Sequence, residues 1–478
     1  MLRSDYSTWR CGAHELSLSR PRIMGILNVT PDSFSDGGEN LEPDAAIARG
    51  LQMLDAGADI IDVGGESTRP GHTPVDPDDE AERIIPVVKA LADAGAIVSV
   101  DTRHPEVASV CLELGASIIN DVSGFTDPQM VAVASESDCG CIIMCDNEFR
   151  GNESRKSVVL ESYNPRRRMP EPRQLPAMRN RHTLPEEAPI MRSIMGFLGD
   201  QARTLQRAGI AHDRICIDPG PGFNKTTDED VVIQRAMRKL DSMGYVLMQA
   251  VSRKRFVGAI SGIEEADQRD AATIGMVIAA IEANARVLRV HDVARTAEAV
   301  NAYWAIAKND PRQGFIALGS NVGDRLGYIS RACKLINEIP LTCVVNVSHA
   351  YETEPAYGIA TPVADAVAEI RTELHPLVLM DKLLEVENQL DRVRKEGEEG
   401  HGPRTIDCDL IWIEDEQHAG PKLTLPHPRL GERDFVLVPM EDLMHDPVRF
   451  FSHGGVKVLP PDQRVGHVTA ELGVLDWE

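Results

Sequence analysis

Two aspartates stand in a strand-like stretch between Arg404 and Trp412. Apolar residues alternate there with Asp407 and Asp409, which is the period of a half-buried strand. Because side chains two residues apart on a strand point the same way, both carboxylates should share one face. The residues that should turn to the core instead are Ile406, Cys408 and Leu410. Like charges on one face repel, and Mg²⁺ would remove that repulsion while keeping substrate phosphates among its ligands.

The approach to this stretch is rich in basic residues, namely Arg392, Arg394, Lys395 and Arg404. Their positive charge favours a phosphate-binding site. A solvated edge strand is the alternative, because exposed edges also carry charged residues.

Composition narrows the class of protein that positions these residues. A chain of 478 residues is long for a single core, so we expect two domains of unequal size. Lysine and arginine number 50 against 74 aspartates and glutamates, a net charge of −24, which argues against a nucleic-acid or anionic-membrane binder. Local arginines must therefore meet any anionic substrate. The sequence has no apolar signal core and no apolar run of membrane-spanning length, so we expect a cytoplasmic protein.

Short apolar runs alternate with amphipathic segments from Ile23 onward, after a polar lead-in at residues 1–21 that has the pattern of a hairpin. The runs predict strands at Ile23–Leu27, Asp59–Val63, Ile97–Val100, Ser117–Asp121, Cys141–Met144, Arg214–Asp218, Val246–Ala250 and Arg286–Val290. Helical patterns between them include Pro43–Ala56, Glu106–Leu114, Met191–Ala208 and Ala271–Ala285. Eight strand–helix units over about 290 residues predict an α/β fold, the (β/α)₈ TIM-type barrel. A doubly wound open sheet is the alternative, but no glycine-rich dinucleotide turn follows the first strand.

Polar residues end nearly every predicted barrel strand, and active sites of such barrels form at the carboxyl ends of the strands. These residues are Asn28, Asp62, Asp101, Asn120, Asp121, Asp218, Ser252, Lys254, Arg289 and His291, with residues 66–69 just beyond Asp62. A single polar strand end is usually a helix cap or a turn residue. So many converging ends predict a site instead.

The motifs that carry these residues resemble those of dihydropteroate synthase. They are MGILNVTPDSFSDGG (Met24–Gly38), IIDVGGESTRPG (Ile60–Gly71), SVDT (Ser99–Thr102), IINDV (Ile118–Val122), DPGPGF (Asp218–Phe223), SRK (Ser252–Lys254) and RVHDV (Arg289–Val293). The resemblance implies the barrel fold over residues 14–309. It also implies the reaction of that family, which joins 6-hydroxymethyl-7,8-dihydropterin diphosphate to p-aminobenzoate and releases pyrophosphate.

The same resemblance implies a role for each motif residue. Those expected to bind the pterin are Asp101, Asn120, Asp218 and Lys254. Those expected to bind the diphosphate are Asn28, Arg69, Arg289 and His291, and Asn28 would also hold Mg²⁺. Those expected to close over p-aminobenzoate are Phe34, Thr68, Pro70, Phe223 and Ser252. Among them, the residues expected to act in catalysis are Asp101, Lys254, Arg289 and His291.

These roles are chemically reasonable. A pterin has a guanine-like edge of donors and acceptors, which fixed buried polar groups can satisfy. Breaking its C–O bond to diphosphate places positive charge on a methylene group, which Asp101 would stabilise, and negative charge on the leaving group.

The barrel sequence departs from the family pattern at a few places. Pro221 stands where phenylalanine is usual, and Ala250 stands where glycine is usual. A long arginine- and proline-rich segment, residues 147–189, replaces a short loop. We expect a solvated loop there, and a lid that captures phosphates is the alternative.

A second domain, residues 314–478, follows a linker-like segment at Ala305–Pro311. Its motifs resemble those of hydroxymethyldihydropterin pyrophosphokinase: FIALGSNVGDR (Phe315–Arg325), RVRK (Arg392–Lys395), HGPRTIDCDL (His401–Leu410) and LPHPRLGERDF (Leu425–Phe435). The resemblance implies a smaller α+β, ferredoxin-like fold that moves a diphosphate from ATP to 6-hydroxymethyl-7,8-dihydropterin.

Roles in this second site are implied in the same way. Asp407 and Asp409 would hold Mg²⁺ on the ATP phosphates and act in catalysis. The residues expected to bind ATP are Arg392, Arg394, Arg404, His427 and Arg433. His427 also fits a structural histidine in a turn. Phe435 would be one stacking wall for the pterin.

The pterin half of this second site departs further from its family. Val363 and Asp365 stand where an aromatic residue and an asparagine are usual, and His401 stands where tryptophan often precedes the GPR motif. A carboxylate accepts hydrogen bonds from pterin N–H groups but cannot donate to its carbonyl.

Taken together, the motifs predict a bifunctional folate-biosynthesis enzyme with small-molecule substrates: pterin, p-aminobenzoate and ATP. We expect no nucleic-acid or membrane partner, and a homodimer formed through the barrel, as in its family. Two alternatives stay open. One is an active synthase with a non-catalytic, regulatory C-terminal domain, and the other is a pterin-binding barrel methyltransferase.

Overall fold

The computed structural model describes residues 8–30, 42–66, 75–146, 185–307, 310–359, 361–393 and 402–477. The chain divides into two compact units, Met1–Tyr303 and Trp304–Glu478. Of the long segment predicted at residues 147–189, the part before residue 185 lies outside the described residues. No helix in the described ranges is both long enough and apolar enough to cross a membrane.

The first unit contains a hairpin and a closed barrel of parallel strands. The hairpin strands are β1 (Thr8–Cys11) and β2 (His14–Ser17). The barrel strands are β3 (Arg22–Asn28), β4 (Ile60–Gly64), β5 (Ile97–Asp101), β6 (Ile118–Asp121), β7 (Gly140–Met144), β8 (Ile215–Asp218), β9 (Val246–Gln249) and β10 (Val287–Val290). They close in chain order, with β10 beside β3. The predicted (β/α)₈ barrel is confirmed.

Helices follow the barrel strands. They are α1 (Pro43–Asp55), α2 (Pro77–Asp93), α3 (Pro105–Glu113), α4 (Pro128–Ser135), α5 (Pro189–Arg207), α6 (Thr227–Arg235), α7 (Met237–Asp241), α8 (Arg255–Ser261), α9 (Asp270–Glu282) and α10 (Val293–Ala307). The first five begin with proline, whose fixed φ and missing N–H suit the first helical position. The helices predicted from the sequence are confirmed, with small shifts at their ends.

The rows of side chains that face into the barrel become more polar toward the carboxyl ends of the strands. Partnered residues of parallel strands face the same side, and Met24, Ile60 and Ile97 form one such row. The next inward-facing row is Ile26, Asp62 and Ser99, and the row at the carboxyl end is Asn28, Gly64 and Asp101. The polar residues are therefore gathered at the end where barrel enzymes place their active sites.

The N-terminal hairpin closes the opposite end of the barrel. Trp9, Cys11, Leu16 and Leu18 are buried and belong to the same apolar cluster as Met24. The indole Nε1 of Trp9 donates a hydrogen bond to the carbonyl of Arg214 at 3.1 Å. The hairpin expected from the sequence is present, but its description as a polar lead-in was wrong, because one face of each short strand supplies core side chains.

The second unit is a mixed α+β domain. Its strands are β11 (Arg312–Ser320), β12 (Thr342–Val347), β13 (Ala350–Thr353), β14 (Val363–Thr372), β15 (Asp407–Ile413), β16 (His418–Ala419), β17 (Thr424–Leu425) and β18 (Val468–Gly473). Its helices are α11 (Arg325–Asn337), α12 (Pro376–Gln389), α13 (Asp434–Leu437) and α14 (Pro447–His453). The main sheet has the order β15-β11-β14-β13-β18, and β12 also pairs with β14.

This order is that of a ferredoxin-like β-α-β-β-α-β fold, in which β11 and β14 are central and antiparallel. The predicted fold class of the second domain is confirmed. Ile406, Cys408 and Leu410 are buried in its main core cluster, so the alternation predicted from the sequence around β15 is confirmed as well. The apolar side chains of β15 thus fix the direction in which Asp407 and Asp409 point.

Candidate active sites

A buried ion-pair network lies at the carboxyl end of the barrel. The Nε atom of Arg289 donates to Asp62 at 2.6 Å, and its Nη2 atom donates to Asp101 at 2.5 Å. The Nδ2 atom of Asn120 donates to the same Asp62 carboxylate at 3.2 Å. These residues come from β10, β4, β5 and β6, so closure of the barrel is what brings them together.

Burial changes the proton affinity of this network. Desolvation raises the pKa of Asp101 to about 7, although the nearby Arg289 guanidinium opposes that shift. The neighbouring Asp62 carboxylate adds to the increase, because a second negative charge disfavours ionisation. A carboxylate with such a pKa can change charge near neutral pH, which is typical of active sites.

Asp218 and Lys254 form the second part of this site. Burial raises the pKa of Asp218, and the Lys254 ammonium opposes that effect. Burial lowers the pKa of Lys254 to about 8, against the pull of Asp218. The Nζ atom of Lys254 donates to the carbonyl of Pro221 at 2.6 Å and lies 4.7 Å from the ring centroid of Phe223. The proline that departs from the family pattern therefore contributes through its backbone, and the ring of Phe223 lies beside Lys254.

A buried lysine stabilises the loop after β8 through hydrogen bonds to backbone carbonyls. The Nζ atom of Lys225 donates to the carbonyls of Cys145, Gly220 and Phe223 at 2.7, 2.7 and 3.1 Å. Gly220 has a φ of +60°, and a Cβ there would lie 2.5 Å from the Cys145 oxygen. The loop can follow this path only with glycine, and Lys225 satisfies the carbonyls that face inward.

Ser252 and His291 are neighbours at the same end of the barrel. The Oγ atom of Ser252 accepts a hydrogen bond from the backbone N–H of His291 at 3.1 Å and lies 2.9 Å from its Nδ1. This contact orients the imidazole ring, with its Nε2 on the other side. Asn28 is half-buried at the last position of β3, in the same row as Asp101.

The second site is built around the two aspartates of β15. The Asp407 carboxylate pairs with Arg404 at 2.7 Å and with Arg392 at 3.1 Å, and Asp409 pairs with Arg433 at 3.1 Å. Arg392 also donates to the carbonyl of Ile406 at 2.6 Å, which holds it beside the strand. Negatively charged aspartates and positively charged arginines thus lie side by side on one face of the sheet.

This donor set fits Mg²⁺ bound together with phosphates. Asp407 and Asp409 keep 18% and 36% of their side-chain surface exposed, so a ligand can reach both. A hard cation prefers carboxylate oxygens, and arginines match phosphate oxygens. An ATP–Mg²⁺ complex would supply both partners, with the cation on the aspartates and the phosphates on the released guanidinium groups.

His427 is a neutral hydrogen-bonding group beside this face. Burial, together with the positive charges of Arg433 and Arg429, lowers its pKa to about 4. Its Nδ1 accepts from the backbone N–H of Arg429 at 3.1 Å. The proton of the neutral ring therefore lies on Nε2, which is suited to donating to a phosphate oxygen.

Phe435 and Asp365 define the side of this site expected to bind the pterin. Phe435 lies 6.5 Å from Tyr357, ring centroid to centroid, in an edge-on arrangement. Asp365 accepts from the Thr353 hydroxyl at 2.5 Å, and burial raises its pKa to about 7. Val363 is buried, with 4% of its surface exposed, so it offers no stacking wall in place of the usual aromatic residue. Tyr357 is an aromatic side chain here that the sequence analysis did not identify.

Comparison with known families identifies both halves. Residues 24–291 match the model of the pterin binding enzymes, and residues 315–445 match that of 7,8-dihydro-6-hydroxymethylpterin-pyrophosphokinase. The chain belongs to the pterin binding enzyme family. Both resemblances stated from the sequence motifs are thereby confirmed.

Two proteins that are similar in sequence to this chain are named dihydropteroate synthase. One from Staphylococcus haemolyticus is 37% identical over 278 residues, which is 58% of this chain and 91% of that protein. One from Neisseria meningitidis serogroup C is 35% identical over 305 residues, which is 63% of this chain and 98% of that protein.

Solved structures of Xanthomonas albilineans dihydropteroate synthase are also similar. The structure with 4-aminobenzoic acid has a TM-score of 0.53 and 33% identity, and it covers 63% of this chain and 99% of its own. The structure in complex with 7,8-dihydropteroate has a TM-score of 0.51 and 31% identity over the same shares.

Most of the site residues predicted for this pterin binding enzyme lie within the described part of the chain, and six lie outside it. Asp101, Asn120, Asp218, Lys254, Arg289, Ser252 and His291 lie at the carboxyl end of the barrel or in the loops that follow it, together with Asn28 and Phe223. Phe34, Thr68, Arg69, Pro70, Arg394 and His401 lie outside the described residues.

Two residues of the barrel site were missed as members of it. Asp62 was recognised as a polar strand end, and its place in the row between Ile60 and Gly64 was the available signal. Lys225 follows the DPGPGF motif and carried no signal, because its carbonyl partners become neighbours only on folding.

A third polar cluster lies beyond β4 and β5. Glu66, Glu80 and His104 bring potential metal-ligand atoms within 4.8 Å of one another. Glu66 already pairs with Arg103 at 2.9 Å, and Glu80 pairs with His104 at 2.7 Å. Both carboxylates thus already have partners within the protein, so we interpret the cluster as a structural network beside the active site.

Proposed function

We propose that this chain catalyses two consecutive reactions of folate biosynthesis. Its C-terminal domain transfers a diphosphate from ATP to the hydroxymethyl group of 6-hydroxymethyl-7,8-dihydropterin. Its barrel then joins the resulting diphosphate ester to p-aminobenzoate, which gives 7,8-dihydropteroate and pyrophosphate. The Arg289 network supports this proposal most directly, because it places a cationic diphosphate binder against an acidic residue that can stabilise a cationic pterin methylene.

In the barrel, the pterin edge is bound by groups of fixed position. Asp218 accepts from the adjacent N–H groups of the ring, and Asn120 and Lys254 satisfy its remaining polar atoms. A site built on buried hydrogen bonds rejects analogues that leave its polar groups unpaired. The low pKa of Lys254 and the high pKa of Asp218 both follow from burial, which strengthens these contacts.

The chemical step breaks the C–O bond between the pterin methylene and the diphosphate. The amine nitrogen of p-aminobenzoate forms the new C–N bond and then loses a proton, while pyrophosphate leaves with the bonding electron pair. Asp101 in its ionised form stabilises the positive charge on the methylene, and Arg289 and His291 bind the leaving group. Ser252 orients His291 through the contact to its Nδ1.

We propose Mg²⁺ as a cofactor of both sites. In the barrel, the amide oxygen of Asn28 would hold the ion beside the diphosphate, and an amide oxygen is a suitable hard ligand. In the second domain, Asp407 and Asp409 would hold it on the ATP phosphates. An ion held there would neutralise charge on the transferred group.

The chain's own residues in the kinase site position the substrates. Arg392, Arg404 and Arg433 bind phosphate oxygens, and His427 donates from Nε2. Phosphoryl-type transfer needs mainly alignment and charge stabilisation from a protein, which this set supplies without a strong base. Phe435 covers one face of the pterin, and Asp365 accepts from its N–H groups.

The experiment that tests the proposal measures both activities on the intact chain. AMP formed from ATP and hydroxymethyldihydropterin supports the kinase, and p-aminobenzoate-dependent pyrophosphate release supports the synthase. A chain with only the second activity has a non-catalytic C-terminal domain, for which the buried Val363 is the specific argument. A chain with neither, but with methyl transfer from a pterin cofactor, would be a barrel methyltransferase.

We further propose that the barrel forms a homodimer. Ile260 on α8 of the barrel is 51% exposed, and a large exposed apolar side chain suits an interface. Light scattering across a range of micromolar concentrations should give twice the monomer mass. A monomer mass without concentration dependence would contradict this proposal.

A further inference from the structure

A C-terminal segment, residues 464–467, packs against the residues that line the kinase site; we name it the clasp. The backbone N–H of Asp434 donates to the carbonyl of Val465 at 3.0 Å, and the N–H of Val465 donates to Glu432 at 2.9 Å. Arg433 and Val465 form a parallel bridge. The clasp therefore holds the backbone that carries the phosphate-binding Arg433 on one side and Phe435 on the other.

The side chain of Asp434 joins the clasp in a polar triad, in which the side chains of Asp434 and Arg464 are buried and that of His467 is 46% exposed. Its Oδ1 lies 3.2 Å from Arg464, and its Oδ2 lies 2.6 Å from the Nδ1 of His467. Asp434 is 8% exposed, so the removal of either partner leaves a poorly solvated negative charge. The triad holds this carboxylate on the clasp, while the side chain of its chain neighbour Arg433 donates to Asp409 at 3.1 Å.

Gly466 of the clasp lies against the aromatic ring of Phe435. Its φ is +67°, and a Cβ at this position would lie 2.4 Å from the Cδ1 atom of Phe435 and 3.1 Å from its Cε1. A methyl group cannot fit there unless the ring moves. The observed position of the Phe435 ring therefore requires glycine at position 466.

The clasp also contacts the loop after β13, which carries Tyr357. The backbone N–H of Glu354 donates to the carbonyl of His467 at 2.9 Å. Tyr357 comes three residues after Glu354 and lies edge-on to Phe435. Its hydroxyl donates to the side-chain carboxylate of Glu432 at 2.7 Å. One short segment thus ties together both aromatic side chains and the phosphate-binding arginine.

We propose that the clasp is a functional part of the kinase site. Asp434 and His467 are positioning residues for Arg433 and Phe435, and Gly466 is a specificity determinant that keeps Phe435 parallel to a planar pterin. This inference rests on the proposed kinase activity. It goes beyond it by assigning a role to three residues that touch neither ATP nor the pterin.

Three variants of the intact chain test the proposal. Gly466→Ala should raise the KM for hydroxymethyldihydropterin about tenfold or more and change the KM for ATP little, because the ring must move. His467→Ala should lower kcat/KM for both kinase substrates by about tenfold. His467→Asn should restore most of the rate, because its amide nitrogen can occupy the place of Nδ1 and donate to Asp434.

Matched controls separate positioning from loss of folding. Gly455 has a φ of +81°, and a Cβ at this position would meet no atom within 4 Å. Gly455→Ala therefore carries the backbone cost without the ring contact and should act like wild type. His453 is exposed, and His453→Ala should also leave the kinase unchanged. The synthase rate of every variant, measured with preformed pterin diphosphate, reports the integrity of the barrel.

The inference is overturned if Gly466→Ala and Gly455→Ala have the same pterin KM, or if His467→Asn is as slow as His467→Ala. If the wild type forms no AMP, the kinase proposal fails by itself. Hydrogen exchange then decides on the clasp. The amides of Asp434 and Val465 should exchange faster in His467→Ala and return to the wild-type rate in His467→Asn, and equal rates in all three proteins would contradict the clasp.

Discussion

The guanidinium group of Arg289 lies 2.5 Å from the carboxylate of Asp101, at the carboxyl end of the barrel. In the proposed reaction these two groups stabilise opposite charges that form when one bond breaks. Their contact holds both in place before the substrate arrives, so little reorganisation is needed at the moment of reaction. The predictions for the barrel follow from this pair and from the groups that support it.

Asp62 should be needed for catalysis although we do not place it against the substrate. Its carboxylate accepts from Arg289 at 2.6 Å and from Asn120 at 3.2 Å, so it orients a diphosphate binder and a pterin binder. Asp62→Asn should reduce the synthase kcat/KM by about tenfold to a hundredfold, because one charge-assisted contact is lost. Asp93→Asn, at an exposed helical position, is the matched control. A rate for Asp62→Asn equal to that control would remove the residue from the network.

The synthase should have a narrow pH optimum. The pKa of Asp101 is raised to about 7, so its carboxylate takes up a proton at higher pH than an ordinary aspartate, and kcat/KM should fall as the pH drops below that value. The pKa of Lys254 is lowered to about 8, so the rate should fall again as the pH rises through that value. Lys254→Arg should abolish the alkaline limb, since arginine stays charged. A flat profile from pH 5.5 to 9 would contradict these assignments, because about tenfold per pH unit is expected beyond each pKa.

Lys225 should support the site through the loop after β8. Its ammonium donates to three inward-facing carbonyls, and Lys225→Met would remove these three hydrogen bonds from a buried loop. We expect the loop to shift and the KM for pterin diphosphate to rise by about tenfold to a hundredfold. Lys89→Met, which changes an exposed lysine of α2, should have no such effect. Equal KM values for the two variants would show that the loop does not depend on Lys225.

Local patterns were sufficient to predict the strands and the direction of their side chains. Asp62 was predicted as a polar residue at the end of a barrel strand, and the alternation around β15 placed Asp407 and Asp409 on one face. Contacts across the fold could not be predicted in the same way. Arg289 and Asp62 are 227 positions apart, and nothing in either motif specifies which strand-end residue becomes the partner.

Tyr357 and the clasp were missed for a similar reason. Tyr357 lies in a loop between β13 and β14, with a φ of +51° that the sequence does not indicate. The clasp lies after the last kinase motif, where no family pattern directs attention. Both became visible only through their contacts with Glu432 and Phe435.

His427 should act in the kinase as a neutral donor. Its pKa of about 4 means that the ring carries no charge between pH 5 and pH 8, so it should add no acid limb to the kinase profile in that range. His427→Gln should keep most of the rate because the amide can donate, whereas His427→Ala should lose about tenfold. An acid limb near pH 6.5 that disappears in His427→Gln would show a charged histidine instead.

The central claim is that one chain performs two consecutive reactions at separate sites. Asp407→Asn removes a carboxylate from the cation-binding pair, and Asp218→Asn replaces the pterin acceptor of the barrel. The measurement follows AMP and dihydropteroate in one mixture of ATP, hydroxymethyldihydropterin and p-aminobenzoate, and then repeats it with preformed pterin diphosphate.

Wild type should form both products. Asp407→Asn should lose AMP formation by about a thousandfold or more and make dihydropteroate only when the diphosphate is supplied. Asp218→Asn should form AMP at the wild-type rate and no dihydropteroate from either mixture. AMP formation by Asp407→Asn within a few-fold of wild type, or dihydropteroate formation by Asp218→Asn at the wild-type rate, would contradict the account.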